Sequence, residues 1–304
     1  MHNLLLLLLC LAGGVLLRRA GRVGDNAHLA LNACIIHLAL PAVTLRTLHG
    51  FEFDRMHLLP VLMPWVLFAL GAALFWALGR TLGLSRAQVG ALTLVGGLGN
   101  TSFVGLPMIE TLHGRDGLGL GLLIDQLGSY LALSTLGVAA AAFYAAGPRV
   151  TPREMLRRVA SFPPVIALVA ALLLRPVDLP EPLLLALARL GDTLAPLALL
   201  SVGMQLRLDA LREHGRALAL GLGFKLMVCP ALVVALLWAT GAAPDMASRV
   251  SVIEAAMPPM IGAGIVAAQA NLAPRLVSAM IGVGIPLGVV TASGWLGLFG
   301  WLAV

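Results

Sequence analysis

Val95-Gly96-Gly97-Leu98-Gly99-Asn100-Thr101-Ser102-Phe103-Val104-Gly105-Leu106-Pro107 is an apolar stretch broken by glycine, proline and small polar residues. The other half of the chain holds a second one, Glu254-Ala255-Ala256-Met257-Pro258-Pro259-Met260-Ile261-Gly262. Inside hydrocarbon every backbone amide and carbonyl needs a partner, so unwound chain at that depth persists only where it is buried in protein or lines a wet cavity. A half-helix that starts at a break aims unpaired amides into the cavity, and one that ends there aims carbonyls. Paired breaks in matching halves mark the binding site of secondary transporters.

The rest of the sequence places these breaks in a membrane. Of 304 residues, 60% are hydrophobic and 11% charged, against about a quarter charged in soluble chains. Windows able to cross about 30 Å of hydrocarbon fall near residues 2–17, 27–46, 60–80, 88–113, 117–146, 161–175, 181–206, 215–240, 248–272 and 275–303. The expected fold is therefore an all-α polytopic membrane protein with about ten transmembrane helices. An aromatic content of 5% argues against broad stacking platforms for bases or sugars.

The net charge of +6 does not call for nucleic acid as a partner, because the arginines sit in short loops where orientation explains them. Arg18, Arg19 and Arg22 follow the first span, Arg80 and Arg86 the third, and Arg149, Arg153, Arg157 and Arg158 the fifth. Arg207, Arg212 and Arg216 follow the seventh and Arg275 the ninth, whereas the other loops hold Arg46, Arg55, Arg115, Arg175 and Arg249. The odd loops are thus expected to be cytoplasmic and both termini periplasmic, in a bacterial inner membrane. The leading apolar run lacks a basic n-region and reads as a retained first span. Cys10, Cys34 and Cys229 lie in apolar windows without paired spacing, so no disulfide or metal framework is expected.

With that alternation, two five-span halves enter the membrane from opposite sides, as inverted repeats require. A shift of about 160 residues lays Gly99 on Pro259 and Arg115 on Arg275, with Pro41 near Pro196 and Pro64 near Pro230. The expected domains are a first five-helix repeat over 1–146, a cytoplasmic linker over 147–160 and a second repeat over 161–304. The competing view is that membrane helices use glycine and proline freely without any symmetry.

Asn100, Thr101 and Ser102 stand where the caps of a new half-helix belong, and the amide ends there suit a carboxylate. Pro258 and Pro259 suit the first turn of the half-helix after the second break. Small polar residues also serve as simple helix-to-helix hydrogen-bond partners. Glu254 lies one turn before Pro258, beside a carbonyl end, where a carboxylate needs a cation or a proton; pairing with Lys225 or an arginine is the structural alternative. Asp125 and Gln126 interrupt an apolar window, with Ser129 expected on the Asp125 face. Lys225, the only lysine, either neutralises an acid, steers an anion, snorkels or forms a salt bridge. Asp192 and His37 align roughly between the halves and are secondary candidates, followed by Glu110 and Asn32, whereas His113 beside Gly114 marks a loop.

The run from Gly99 to Pro107, taken with Glu254 to Pro259, resembles the auxin efflux carrier family of permeases, which includes plant PIN-type carriers and bacterial malate or malonate carriers. Ile124-Asp125 with Leu127-Gly128, and Lys225-Leu226 before Cys229-Pro230, are also similar to that family. The resemblance spans nearly the whole chain. It implies two inverted five-helix repeats, broken helices 4 and 9 that cross, and a scaffold of helices 1, 2, 6 and 7. It also implies a transport unit from helices 3–5 and 8–10, homodimers, and elevator-type alternating access. The plant carriers have proline where this chain has Gly99 and glutamine where it has Glu254. The second break is similar, too, to that of bile acid:sodium symporters, whose glutamate at this position helps to bind sodium.

These readings converge on a transporter of a small organic anion, a mono- or dicarboxylate. The substrate-binding candidates are Gly99, Asn100, Thr101, Ser102, Gln126, Pro258, Pro259 and Met260. Gly97, Gly99, Pro107, Pro258 and Pro259 form the crossover, and Glu254 and Asp125 handle H+ or Na+. The expected partners are the organic anion, the lipid bilayer and a second copy of the chain, with no cofactor and no metal. A sodium symporter of bulky amphipathic acids or a cation/proton exchanger is the alternative transport reading. An intramembrane hydrolase is disfavoured, since neither Gly-x-Ser-x-Gly nor His-Glu-x-x-His occurs and Ser102 with His113 lacks the elbow that activates a serine. Paired breaks also favour alternating access over an open channel.

Overall fold

A computed structural model describes residues 2–24, 26–52, 54, 57–145, 151–206 and 215–302. Its elements are helical, and no strand occurs among the described residues. In order they are α1 (His2–Arg19), α2 (Ala27–His49), α3 (Leu58–Thr81), α4 (86–96), α5 (101–113), α6 (Leu118–Ala145) and α7 (Pro152–Ala160). There follow α8 (Pro163–Leu173), α9 (Glu181–Gln205), α10 (Gly215–Ala239), α11 (Met246–Ala255), α12 (Ile261–Gln269) and α13 (Pro274–Leu302). Arg55, Arg149, Arg207, Arg212 and all of residues 147–150 of the expected linker lie outside the described residues.

Six helices, α2, α3, α6, α9, α10 and α13, are long and apolar enough to cross a membrane, or seven crossings if α7 and α8, bent by 67°, count as one. The molecule is a multi-pass membrane protein. The windows at 88–113 and 248–272 do not form single rods, because the chain leaves the helix at Leu98–Asn100 and again at Ala256–Met260. The helix starts are legible. Ser85 and Gln88 form a capping box at α4, with Ser85 N–H donating to Gln88 Oε1 at 2.9 Å and Gln88 N–H to Ser85 Oγ at 3.2 Å, and Asp245 Oδ1 accepts from Ser248 N–H at 2.8 Å at α11. Gly83 (φ +64) and Gly241 (φ +65) end α3 and α10 in the left-handed region.

The described residues form two compact units. The first comprises those in Met1–Asp54, Ser102–Leu122 and Leu156–Leu206. Its tightest contact joins α1 to the second half of α9: a β-carbon on Gly14 would lie 2.2 Å from Leu200 O, and one on Gly203 would lie 2.2 Å from Leu11 O. Small residues thus bring two backbones into direct contact, the usual basis of helix association in lipid. Arg18 Nη1 donates to Met204 O at 2.7 Å, and Ser201 Oγ to Asn32 Oδ1 at 2.5 Å. A cavity of about 190 Å³ in this unit is lined by Arg46, Glu110, Arg115 and Asp192, among others.

The second unit comprises the described residues of Arg55–Thr101, Leu123–Met155 and Arg207–Val304. Here α6 closes on α3, with Gly128 against Pro64 and Val61 and Trp65 Nε1 donating to Leu127 O at 2.9 Å. Trp295 Nε1 of α13 donates to Leu226 O of α10 at 2.9 Å. Phe75 and Phe224 meet edge to face at 5.3 Å between ring centres. Both breaks meet within this unit.

Candidate functional site

The two breaks run antiparallel and pair as a single rung, Gly99 opposite Pro259. Asn100 N–H donates to Pro258 O at 2.7 Å, and Met260 N–H donates to Leu98 O at 3.0 Å. In this pattern Gly99 and Pro259 are the pair that exchange no hydrogen bond with each other, the place where opposed residues come closest. Proline loses nothing there for lack of an N–H, and glycine leaves room for the close approach. The residues that an offset of about 160 matches are thus the two that face each other.

The rung alters two expectations. Pro258 and Pro259 lie in extended chain before Met260, the N-cap of α12, so they do not form its first turn. The Asn100 and Met260 amides are taken up by the rung, so they are not donors for a ligand. Amides that remain without an intrahelical acceptor belong to the first turns of α5 and α12, and carbonyls to the ends of α4 and α11.

Around the rung the unit collects Asn100, Thr101, Asp125, Lys225 and Glu254, with Gln126 next to Asp125 in the chain, each 0–2% exposed. Thr101 Oγ1 donates to Asp125 Oδ1 at 2.5 Å. Lys225 Nζ donates to Ala255 O, the final carbonyl of α11, at 3.1 Å. Neither carboxylate oxygen of Glu254 has a hydrogen-bond partner among the described residues. A carboxylate in that position is retained only with a proton or a cation beside it, since burying an unpaired charge costs far more than burying a neutral acid. Glu254, Asp125 and Lys225 also interact electrostatically. Gly97 packs against Phe68, Met260 is buried at the rung, Ser102 is half-buried on the first turn of α5, and Pro107 is buried within it.

The remaining candidates fall elsewhere. Asp192 is bonded to Arg115 at 2.5 Å and His37 is exposed on α2; both belong to the first unit. Ser129 is buried, and its hydroxyl has no hydrogen-bond partner among the described residues. Asp125, Gln126 and Ser129 all sit in the π-helical segment Ile124–Tyr130, which is wound more widely than an α-helix. Thr101 and Lys225 also sit in π-helical turns, Thr101–Gly105 and Phe224–Val228.

Sequence reasoning missed Gly284 and Gly288 of α13, whose missing side chains seat Pro259 and Pro258. Their Gly-x-x-x-Gly spacing was the available signal. It also missed Thr93, a buried hydroxyl without a partner among the described residues, for which nothing in the sequence stands out.

Residues 1–145 and 147–296 match the family model described as Membrane transport protein. The chain is 26% identical over 294 residues to a protein of Methanothermobacter thermautotrophicus called an uncharacterized transporter, which covers 93% of this chain and 92% of that one. It is also 26% identical over 221 residues, 70% of each chain, to another protein called an uncharacterized transporter, from Methanocaldococcus jannaschii.

Proposed function

This chain belongs to the membrane transport protein family, that of the auxin efflux carriers, and from that premise we propose that it carries a small organic anion, a mono- or dicarboxylate, by elevator-type alternating access. It is a transporter rather than an enzyme. The observation that carries the finer reading is the rung Gly99–Pro259, with helix ends of both polarities and two buried acids around it. The substrate carboxylate lies against Asn100, Thr101 and the first-turn amides of α12, where fixed positive partial charge favours an anion. Glu254 and Asp125 take up the coupling ion, H+ or Na+, which offsets the charge of the moving anion.

The wider architecture follows the same reading: ten helices in two inverted repeats, 1–146 and 161–304, with broken helices 4 and 9 crossing. Helices 1, 2, 6 and 7 form the scaffold and the rest the moving unit. The grouping of Met1–Asp54 with Leu156–Leu206, and of the rung with α3, α10, α13 and α6 from Leu123 onward, supports that division, while Ser102–Leu122 groups with the first unit and departs from it. Loop arginines support a cytoplasmic face for the odd loops, placing both termini in the periplasm of a bacterial inner membrane, and the working form is a homodimer.

Counterflow of labelled mono- and dicarboxylates in proteoliposomes tests the proposal. Exchange that Asn100→Ala weakens is expected, and equal affinity in Asn100→Ala and the parent would remove the site assignment. Glu254→Gln should abolish the dependence of uptake on pH or sodium. The two buried acids also favour a second reading, a cation/proton exchanger on the same architecture, which would show no anion counterflow at all.

A further inference from the structure

The carbonyl end of a half-helix at mid-membrane is a place where secondary transporters hold an inorganic cation. At the end of α11 a cation of the chain's own is already in that place. Lys225 is 2% exposed, so its ammonium does not reach water as a snorkelling lysine would. Its Nζ donates to Ala255 O at 3.1 Å, a carbonyl in the last turn of α11 that has no donor within the helix. Space for the ammonium comes from the other break: a β-carbon on Gly99 would lie 3.1 Å from Nζ, 3.2 Å from Cε and 3.4 Å from Glu254 O. The lysine is therefore fitted against both breaks at once. It arrives on a π-helical turn, Phe224–Val228, with the adjoining helix fixed by the Trp295 bond to Leu226 O.

The charges around it complete the argument. Lys225 interacts electrostatically with Glu254 and with the buried Cys229 thiol of its own helix, and Glu254 interacts with Asp125. No ion pair links Lys225 to Glu254 among the described residues, and the Glu254 oxygens accept no hydrogen bond there. The ammonium is thus spent on the helix end, which leaves the carboxylate free to take a proton.

We propose that Lys225 is a tethered counter-ion that takes the place of sodium at the carbonyl end of α11, so that the coupling ion at Glu254 is a proton. This rests on the transport reading above and narrows it. The test compares sodium chloride with potassium chloride at equal ionic strength, by thermal unfolding of the purified protein and by uptake in proteoliposomes. The parent should unfold at the same temperature and transport at the same rate in both salts; a sodium-specific stabilisation or stimulation overturns the proposal. Lys225→Gln should unfold several degrees higher in sodium than in potassium, because an ion bound only by the folded form raises apparent stability. If that variant folds only when kept in sodium, the proposal is equally supported. A folded Lys225→Gln indifferent to sodium, or one that sodium does not rescue, overturns it. Unfolding needs no transported substrate, so a parent that moves no carboxylate sinks the transport reading without deciding this one.

Discussion

Substituting Gly284 by alanine tests whether the rung between the two breaks is held in place by α13. A β-carbon there would lie 2.6 Å from Pro259 Cδ and 2.8 Å from Leu222 Cδ2, whereas ordinary contact begins at 3.4 Å. Pro259 must therefore retreat by about 0.8 Å, and its ring cannot rotate aside as a longer side chain would. Moving it strains the bonds on either side of it, Asn100 N–H to Pro258 O at 2.7 Å and Met260 N–H to Leu98 O at 3.0 Å. A shift of that size directed along them takes both beyond the normal range of about 2.7–3.2 Å. Overpacking typically costs about 1–3 kcal/mol, and each hydrogen bond contributes about 1 kcal/mol net. The sum expected is about 3–5 kcal/mol, part of it relieved by movement of α13. Thermal unfolding in detergent reads the loss, and carboxylate affinity reads the displaced site. Gly294→Ala and Gly297→Ala are controls on the same helix, since nothing lies within 4 Å of a β-carbon at either. A Gly284→Ala variant that unfolds and binds like these controls would refute the reasoning.

Further outcomes follow from single contacts. Thr101→Val removes the donor to Asp125 Oδ1; a bond to a charged group contributes about 1.5–3 kcal/mol, so equilibrium binding of carboxylate should weaken about 10- to 100-fold, and Thr101→Ser should restore it. Gly203→Leu must part α1 from α9, since even a β-carbon there lies 2.2 Å from Leu11 O, and size-exclusion chromatography should show little folded protein. Arg115→Ala removes a salt bridge whose side chains are 49% and 54% exposed, which contributes under about 1 kcal/mol; its unfolding temperature should stay close to the parent's.

Much of the site could be read from the sequence because membrane burial makes a few residue types conspicuous. Asp125, Lys225 and Glu254 are ionisable residues in apolar windows, and the structure places all three around one rung. The breaks themselves were visible as glycine and proline where a spanning helix tolerates neither without compensation. The allotment of amides was not visible. Two prolines in series suit the first turn of a helix, and only the facing segment Leu98–Asn100 holds them in extended chain instead. The winding was not visible either: the four-residue rule presumes an α-helix, and Ile124–Tyr130 is wound more widely.

The wide turns and the rung answer the same constraint. Chain that leaves a helix in hydrocarbon exposes amides and carbonyls with no water to take them. At the rung the two breaks satisfy each other: Asn100 and Met260 supply the donors, and Pro258 and Leu98 the acceptors. A single break would need side chains or trapped water for those groups, and it would lack a fixed position. Two facing breaks need neither for those four groups, so Lys225 can serve the remaining carbonyl of Ala255 and Thr101 can bond Asp125. The π-helical turns that carry Thr101, Asp125 and Lys225 then re-aim those side chains without opening the helices. The backbone can therefore be saturated at the point where the side chains are most heavily charged. Replacing Pro259 would leave the backbone bonds of the rung in place, since they run through its neighbours, whereas adding bulk at Gly99 presses on Lys225 directly. The rung tolerates a change in its proline better than one in its glycine, and a side-by-side measurement of Pro259→Ala and Gly99→Val in the carboxylate assay would reverse this order only if the proline itself held the chain extended.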